Sequence, residues 1–258
     1  MPTASAAPAR FAAHHVQLLR AAFAAIAAVM ITFSPDHSAA VGLSVFSGFA
    51  IATGLVWALA AWLVSPAGAR GLPIAMAALN IVAGMIGGIV ALRSTALFFV
   101  VVIAWALATG LVEAVAGWRA LRRTRGVDVD RATHGVDVDR ATRGVDVDRA
   151  TDAAAQPGTG RPDAARAARD HLTVGVFGVV LGIGLLLVPG GYVLDYYIPD
   201  AGQTFTLTGI AIAVGVFGAY AAVVAVYLAI AGFSPRRDAS LTTDASAATS
   251  APRPGEGA

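Results

Sequence analysis

Residues 52–62 read ATGLVWALAAW and residues 108–118 read ATGLVEAVAGW, identical at eight of 11 positions at an offset of 56. Both stretches are apolar and end in Trp (Trp62, Trp118), and Glu113 is the one charge in either. Self-similarity on this scale marks a repeated architectural unit. A weaker third copy lies at an offset of 164 from the first. It puts Gly218 on Gly54 and Gly110, and Pro199-Asp200 on Pro35-Asp36. Upstream of each copy lies another apolar run, so each unit reads as a span, an outer turn and a second span.

Apolar runs of about 20 residues are the length a bilayer crossing needs. Six such runs occur, over residues 16–33, 39–64, 72–92, 95–118, 172–188 and 205–233. The 258 residues are 57% hydrophobic and 13% charged, with mean hydropathy +0.71. Soluble domains carry about 25% charged residues. Of the 34 Arg, Asp and Glu residues, 20 fall between Arg119 and Asp170, leaving the remainder too apolar for a water-soluble globule. Alternation of the barrel type is absent, so helices are the expected spanning form. The first run is read as a span, not a cleaved leader, because it completes the first repeat. The expected fold is an all-α membrane protein with six transmembrane helices as three repeated helical hairpins. They cover residues 16–64, 72–118 and 171–233. Residues 1–15 and 234–258 are expected to be disordered.

Arginine placement predicts orientation. Arg10, Arg20, Arg70, the group opening with Arg119, and Arg236-Arg237 all fall on one side if six spans alternate. Asp36, Asp195 and Asp200 fall on the other, where Arg93 is the single exception, in a turn too short to weigh much. Both termini are therefore expected in the cytoplasm. There is no Lys, and the composition suggests a GC-rich bacterial source. The expected location is the bacterial inner membrane, with Trp62 and Trp118 as anchors at the cytoplasmic interface and Tyr192, Tyr196 and Tyr197 in the outer loop.

Gly54, Gly110 and Gly218 remove a side chain at matching places in the three units. Gly84 with Gly88, and Gly178 with Gly182, are small residues four apart. Such positions let helix backbones approach closely. Helix packing is the expected role of all seven. A broken helix at a transport site is the sharper alternative, and no proline inside a span core supports it. These faces allow a homo-oligomer without requiring one.

Residues 125–151 repeat with period nine: RGVDVDRAT, HGVDVDRAT, RGVDVDRAT. Arg and Asp nearly balance, and the segment lacks the apolar surface to fold alone. Residues 119–170 are therefore expected to be a polar, disordered cytoplasmic linker between hairpins two and three. Calcium binding by the Asp-x-Asp pairs is disfavoured, because one glycine per repeat is too few for a stacked β-helix and an Arg adjoins each pair. Arg119, Arg122, Arg123 and Arg125 suit contact with anionic lipid.

Catalytic constellations are missing from the sequence. There is no Cys, no nucleophile elbow, no phosphate-binding glycine loop and no metal-ligand spacing. The expectation is a non-enzymatic protein with no metal or cofactor and no nucleic-acid partner, whose surroundings are the lipid bilayer. Glu113 is the only acidic residue inside a span. An intramembrane carboxylate is costly and commonly functional, so Glu113 is the candidate titrating residue. It is six residues before Arg119, roughly 9 Å of helix rise. Pairing with Arg119 near the interface, or with Arg20 of the first span, is the structural alternative.

Three span–loop–span hairpins with Gly110-Leu111-Val112-Glu113 near the end of a second helix resemble the HdeD-like family of short-repeat bacterial membrane proteins. The resemblance covers residues 16–118 and 171–233. It implies six helices and a role in envelope or acid-stress tolerance. The family's glutamate position is Trp57 in hairpin one and Ala221 in hairpin three, and the long interval between hairpins two and three departs from the family pattern. The alternative expectation is a small transporter or proton-conducting protein that uses Glu113.

Overall fold

The computed structural model describes residues 12–141 and 161–234. Among the described residues six α-helices follow one another: α1 (Ala13–Thr32), α2 (Ala39–Leu63), α3 (Gly71–Gly88), α4 (Thr95–Ala141), α5 (Arg161–Leu186) and α6 (Gly209–Phe233). Each contains a stretch long and apolar enough to cross a membrane. Side-chain caps set three helix starts. Ser38 Oγ accepts from Val41 N, Ser94 Oγ from Leu97 N, and Thr208 Oγ1 from Ala211 N. Each satisfies one of the amides a first turn leaves open. Asp36 Oδ1 accepts from Ser38 N at 2.8 Å and orders the turn into α2.

The most extensive helix contacts do not join the two arms of each expected hairpin. They join α2 to α3, α4 to α5, and α6 back to α1, closing a ring. The glycines explain the choice. A Cβ on Gly54 would come 3.1 Å from the Ala77 carbonyl of α3. One on Gly110 would come within 2.7 Å of the Val179 amide nitrogen of α5, and one on Gly218 would strike Ile31 of α1. Gly84 and Gly88 face Ser47 of α2, while Gly178 and Gly182 face α4. All seven glycines therefore lie on these three joints. Helices in hydrocarbon associate through such close packing, since burial from water is not on offer there.

In the half of the bundle away from the start of α1 and the end of α6, the aromatic rings Phe46 and Phe49 of α2, Trp105 of α4 and Phe217 of α6 fill the centre. Their contacts are edge-to-face, with Phe46–Trp105 centroids 5.2 Å apart and Phe46–Phe217 5.8 Å apart, an arrangement favoured by ring quadrupoles. Phe98 of α4 is fully buried beside them.

Three expectations are corrected. Residues 119–141 and 161–170 are helical, not a disordered linker; residues 142–160 lie outside the described residues. α4 simply continues past Trp118 for a total of 47 residues, roughly 70 Å of rise. Composition speaks against the nonapeptides folding alone. Extending an existing helix avoids the nucleation cost, however, and no proline interrupts residues 119–141. Second, residues 203–208 do not begin the last span. They form β2 (Gln203–Thr208), antiparallel to β1 (Val193–Ile198) with Val193 opposite Thr208 and Ile198 opposite Gln203. Gly202, at φ 61°, takes the left-handed position of the connecting turn. The hairpin carries Tyr196 and Tyr197, with the Tyr196 and Phe205 rings stacked at 6.0 Å. Third, α1 starts at Ala13, inside the expected N-terminal tail. Residues 1–11 and 235–258, and the third nonapeptide, fall outside the described residues.

Candidate functional site

Three helices bring ionisable groups together near the end of the bundle where α1 begins and α6 ends, here called the arginine-rich end. α1 supplies Arg20, α4 supplies Glu113 and α5 supplies His171. Arg20 Nη2 lies 2.9 Å from Glu113 Oε1, with the two side chains 9% and 3% exposed. His171 Nδ1 lies 3.6 Å from the same oxygen. Arg20 Cζ also stands 4.5 Å from the centre of the Trp57 ring, a cation–π distance. Trp57 stacks on His171 with centroids 5.8 Å apart. One guanidinium thus serves a carboxylate and an indole, and one imidazole touches both of those partners.

The helix joints make this meeting unavoidable. Glu113 is three residues after Gly110 and four before Gly117. Cβ atoms on those glycines would strike the α5 backbone near Gly175 and Leu172. His171 is four residues before Gly175, on the same face of α5. The small-residue contact that locks α4 to α5 therefore carries Glu113 to His171.

On one side of the cluster a cavity of about 240 Å³ reaches in from the arginine-rich end. Its mouth is bordered by Ala13, by Ser65 and Ala69 of the α2–α3 connection, and by Ala167. Arg20, Trp57 and His171 form its inner wall. Asp170 lies beside it, accepting from Gln17 Nε2 at 2.8 Å and from the Tyr227 hydroxyl at 3.0 Å. On the other side lies a chamber of about 20 Å³, walled by Arg20, Trp57 and Glu113 together with Thr53, Asn80 and Tyr220. That is about the room one water needs. Thr53 Oγ1 and Trp57 Nε1 are buried without a hydrogen-bond partner among the described residues. Beyond the chamber Trp105 Nε1 donates to Asn80 Oδ1 at 3.0 Å, and Asn80 Nδ2 donates to the Met76 carbonyl. The aromatic cluster begins there.

Arg119 is not part of this site. It borders a groove on the outer face of α4, with Leu111, Val115 and Ala116. Trp62 and Trp118 are 75% and 48% exposed, and the Arg122 guanidinium stacks on the Trp118 ring at 3.9 Å. His171 and Trp57 are the site residues that sequence reasoning does not single out. Matching the small-residue stripe of α4 to that of α5 is the signal for the first. Trp57 occupies the repeat position of Glu113, which is the signal for the second. Among the described residues no three His, Asp or Glu side chains group as a metal site. Comparison with protein-family models, curated proteins and solved structures finds no match.

Proposed function

We propose that this chain is a non-enzymatic, multi-pass protein of the bacterial inner membrane, similar to the HdeD-like family, that contributes to envelope or acid-stress tolerance. Its six spans are read as three repeated units, with both termini cytoplasmic. The proton-responsive element is the Arg20–Glu113–His171 cluster. The observation that carries the reading is the buried 2.9 Å ion pair lying behind a cavity that opens at the arginine-rich end. Protonating Glu113 would leave a largely buried guanidinium without its counter-charge. Such a pair cannot be half removed cheaply. The groups facing Glu113 are Arg20 of α1, His171 of α5 and the Tyr220 hydroxyl of α6, while α2 and α3 present Trp57, Thr53 and Asn80. Proton uptake from the cytoplasmic side would thereby loosen α1 from α4 and α5.

A second reading is a proton conduit through Glu113. The polar chamber beyond Glu113 favours it, and the packed rings of Phe46, Trp105 and Phe217 oppose it. One experiment separates the two. Purified protein is placed in liposomes with an imposed pH gradient and an internal pH-sensitive dye, wild type beside Glu113→Gln, and tryptophan emission is followed on acidification. No flux, with an emission change that Glu113→Gln abolishes, supports the responsive element. Flux lost in the variant supports the conduit. No flux and no emission change in either protein overturns both.

A further inference from the structure

Because the tight joints lie between units, the two arms within each unit part and leave a groove on the outer surface. Between α1 and α2 the groove measures about 220 Å³, and between α5 and α6 about 290 Å³. Neither is bordered by a charged residue. Between α3 and α4 the groove is about 430 Å³ and differs in one respect. Its walls are Leu72, Leu111, Val112, Val115 and Ala116, and Arg119 stands at its end.

We infer that the α3–α4 groove seats one acyl chain of an anionic phospholipid whose phosphate pairs with Arg119. The groove follows α4 from Leu111 to Arg119, roughly 12 Å of rise. Arg119 comes directly after Trp118, an exposed indole of the type that sits at headgroup depth. Walls and cation are thus ordered as tail and phosphate are ordered in a lipid. Among the residues whose side chains are described, no acidic side chain pairs with Arg119, Arg122 or Arg123. Arg122 is laid over Trp118, and Arg123 adds positive potential one turn beyond Arg119. A guanidinium binds phosphate in bidentate fashion, and basic residues beside a membrane surface favour anionic lipid.

The test is native mass spectrometry of the full chain in a neutral detergent, titrated with phosphatidylglycerol or with phosphatidylcholine of the same chains. Wild type should retain phosphatidylglycerol preferentially. Arg119→Gln should lower that retention roughly fivefold, the effect of one basic residue at an anionic surface, and should leave phosphatidylcholine unchanged. Val115→Trp fills the groove and keeps the charge, and it should lose the adduct too. Excess inorganic phosphate should not displace the lipid. Equal loss in Arg93→Gln, past the end of α3 opposite Leu72, would make the effect general surface charge and overturn the site. So would an adduct that survives Val115→Trp, is displaced by phosphate, or gives way to a second copy of the chain.

Discussion

Trp57 and Glu113 occupy the same position in two copies of the repeat, 56 residues apart, and the Arg20 side chain lies between them. It faces the Trp57 ring at 4.5 Å and the Glu113 carboxylate at 2.9 Å. Two aligned sequence positions thus supply a π-face and an anion, and one cation from α1 joins them.

The energetics of that junction lead to the first prediction. Glu113→Leu leaves a buried guanidinium without a counter-charge and should destabilise the protein by about 3–5 kcal/mol. Arg20→Met combined with Glu113→Leu removes both charges and should recover most of that loss, because desolvation of the pair is then avoided. Thermal unfolding in detergent measures both. A double variant no more stable than Glu113→Leu would mean that the two residues are not energetically coupled.

The α4–α5 joint gives the second. Gly110→Ala places a methyl group within 2.7 Å of the Val179 nitrogen and 2.8 Å of the Gly175 carbonyl. These are backbone atoms and cannot rotate away, so a cost of about 1–3 kcal/mol is expected. Gly48→Ala, whose Cβ meets nothing within 4 Å, should instead gain up to about 1 kcal/mol from reduced chain entropy. Equal effects at the two sites would show that close backbone approach is not what holds α4 to α5.

The sequence made the spans legible because their signal is the length of an apolar run, and each of the six runs falls mainly on one helix, although α4 and α5 extend well beyond theirs. Partners were less legible. The pairing within hairpins suggested by connectivity loses to pairing between them, because Gly54, Gly110 and Gly218 allow the closest approach there. Arg20 could be named as a partner of Glu113, since both lie near one boundary. His171 could not be reached from spacing, because it is separated from Glu113 by the whole interval between the fourth and fifth spans. At residues 203–208 the alternation Thr-Phe-Thr-Leu-Thr is a strand pattern. It merges into the apolar run that follows, with only Thr208-Gly209 to mark the boundary. The nonapeptide helix was hidden for a different reason: its stability comes from the span it extends, not from its own composition.

The aromatic cluster yields a prediction that bears on conduction. Trp105→Phe removes the donor to buried Asn80 Oδ1 and should cost about 1–3 kcal/mol. Trp105→Ala also removes the ring that meets Phe46, Phe49 and Phe217. If these rings seal the far half of the bundle, Trp105→Ala liposomes should leak protons faster than wild type, while Trp105→Phe liposomes should not. Equal leak rates in all three would place the barrier elsewhere.

The last prediction concerns sidedness. The natural chain has no Cys, so single substitutions report without background. Ala67 lies in the connection between α2 and α3, and Asp200 is exposed at the tip of the β-hairpin. Arginine distribution assigns Ala67 to the cytoplasm and Asp200 to the opposite face. With a membrane-impermeant maleimide, Ala67→Cys should react only in inverted vesicles and Asp200→Cys only in right-side-out ones. Ser234→Cys, just beyond α6, should follow Ala67→Cys, because four helices separate them and an even number of crossings returns the chain to the same side. Labelling of Ala67→Cys and Asp200→Cys from one face would require that α3, α4 and α5 cross an even number of times in total, and six alternating spans would then be untenable. Opposite labelling with both senses reversed would keep the six spans and move the cavity before Arg20, with any proton that reaches Glu113, to the outer face.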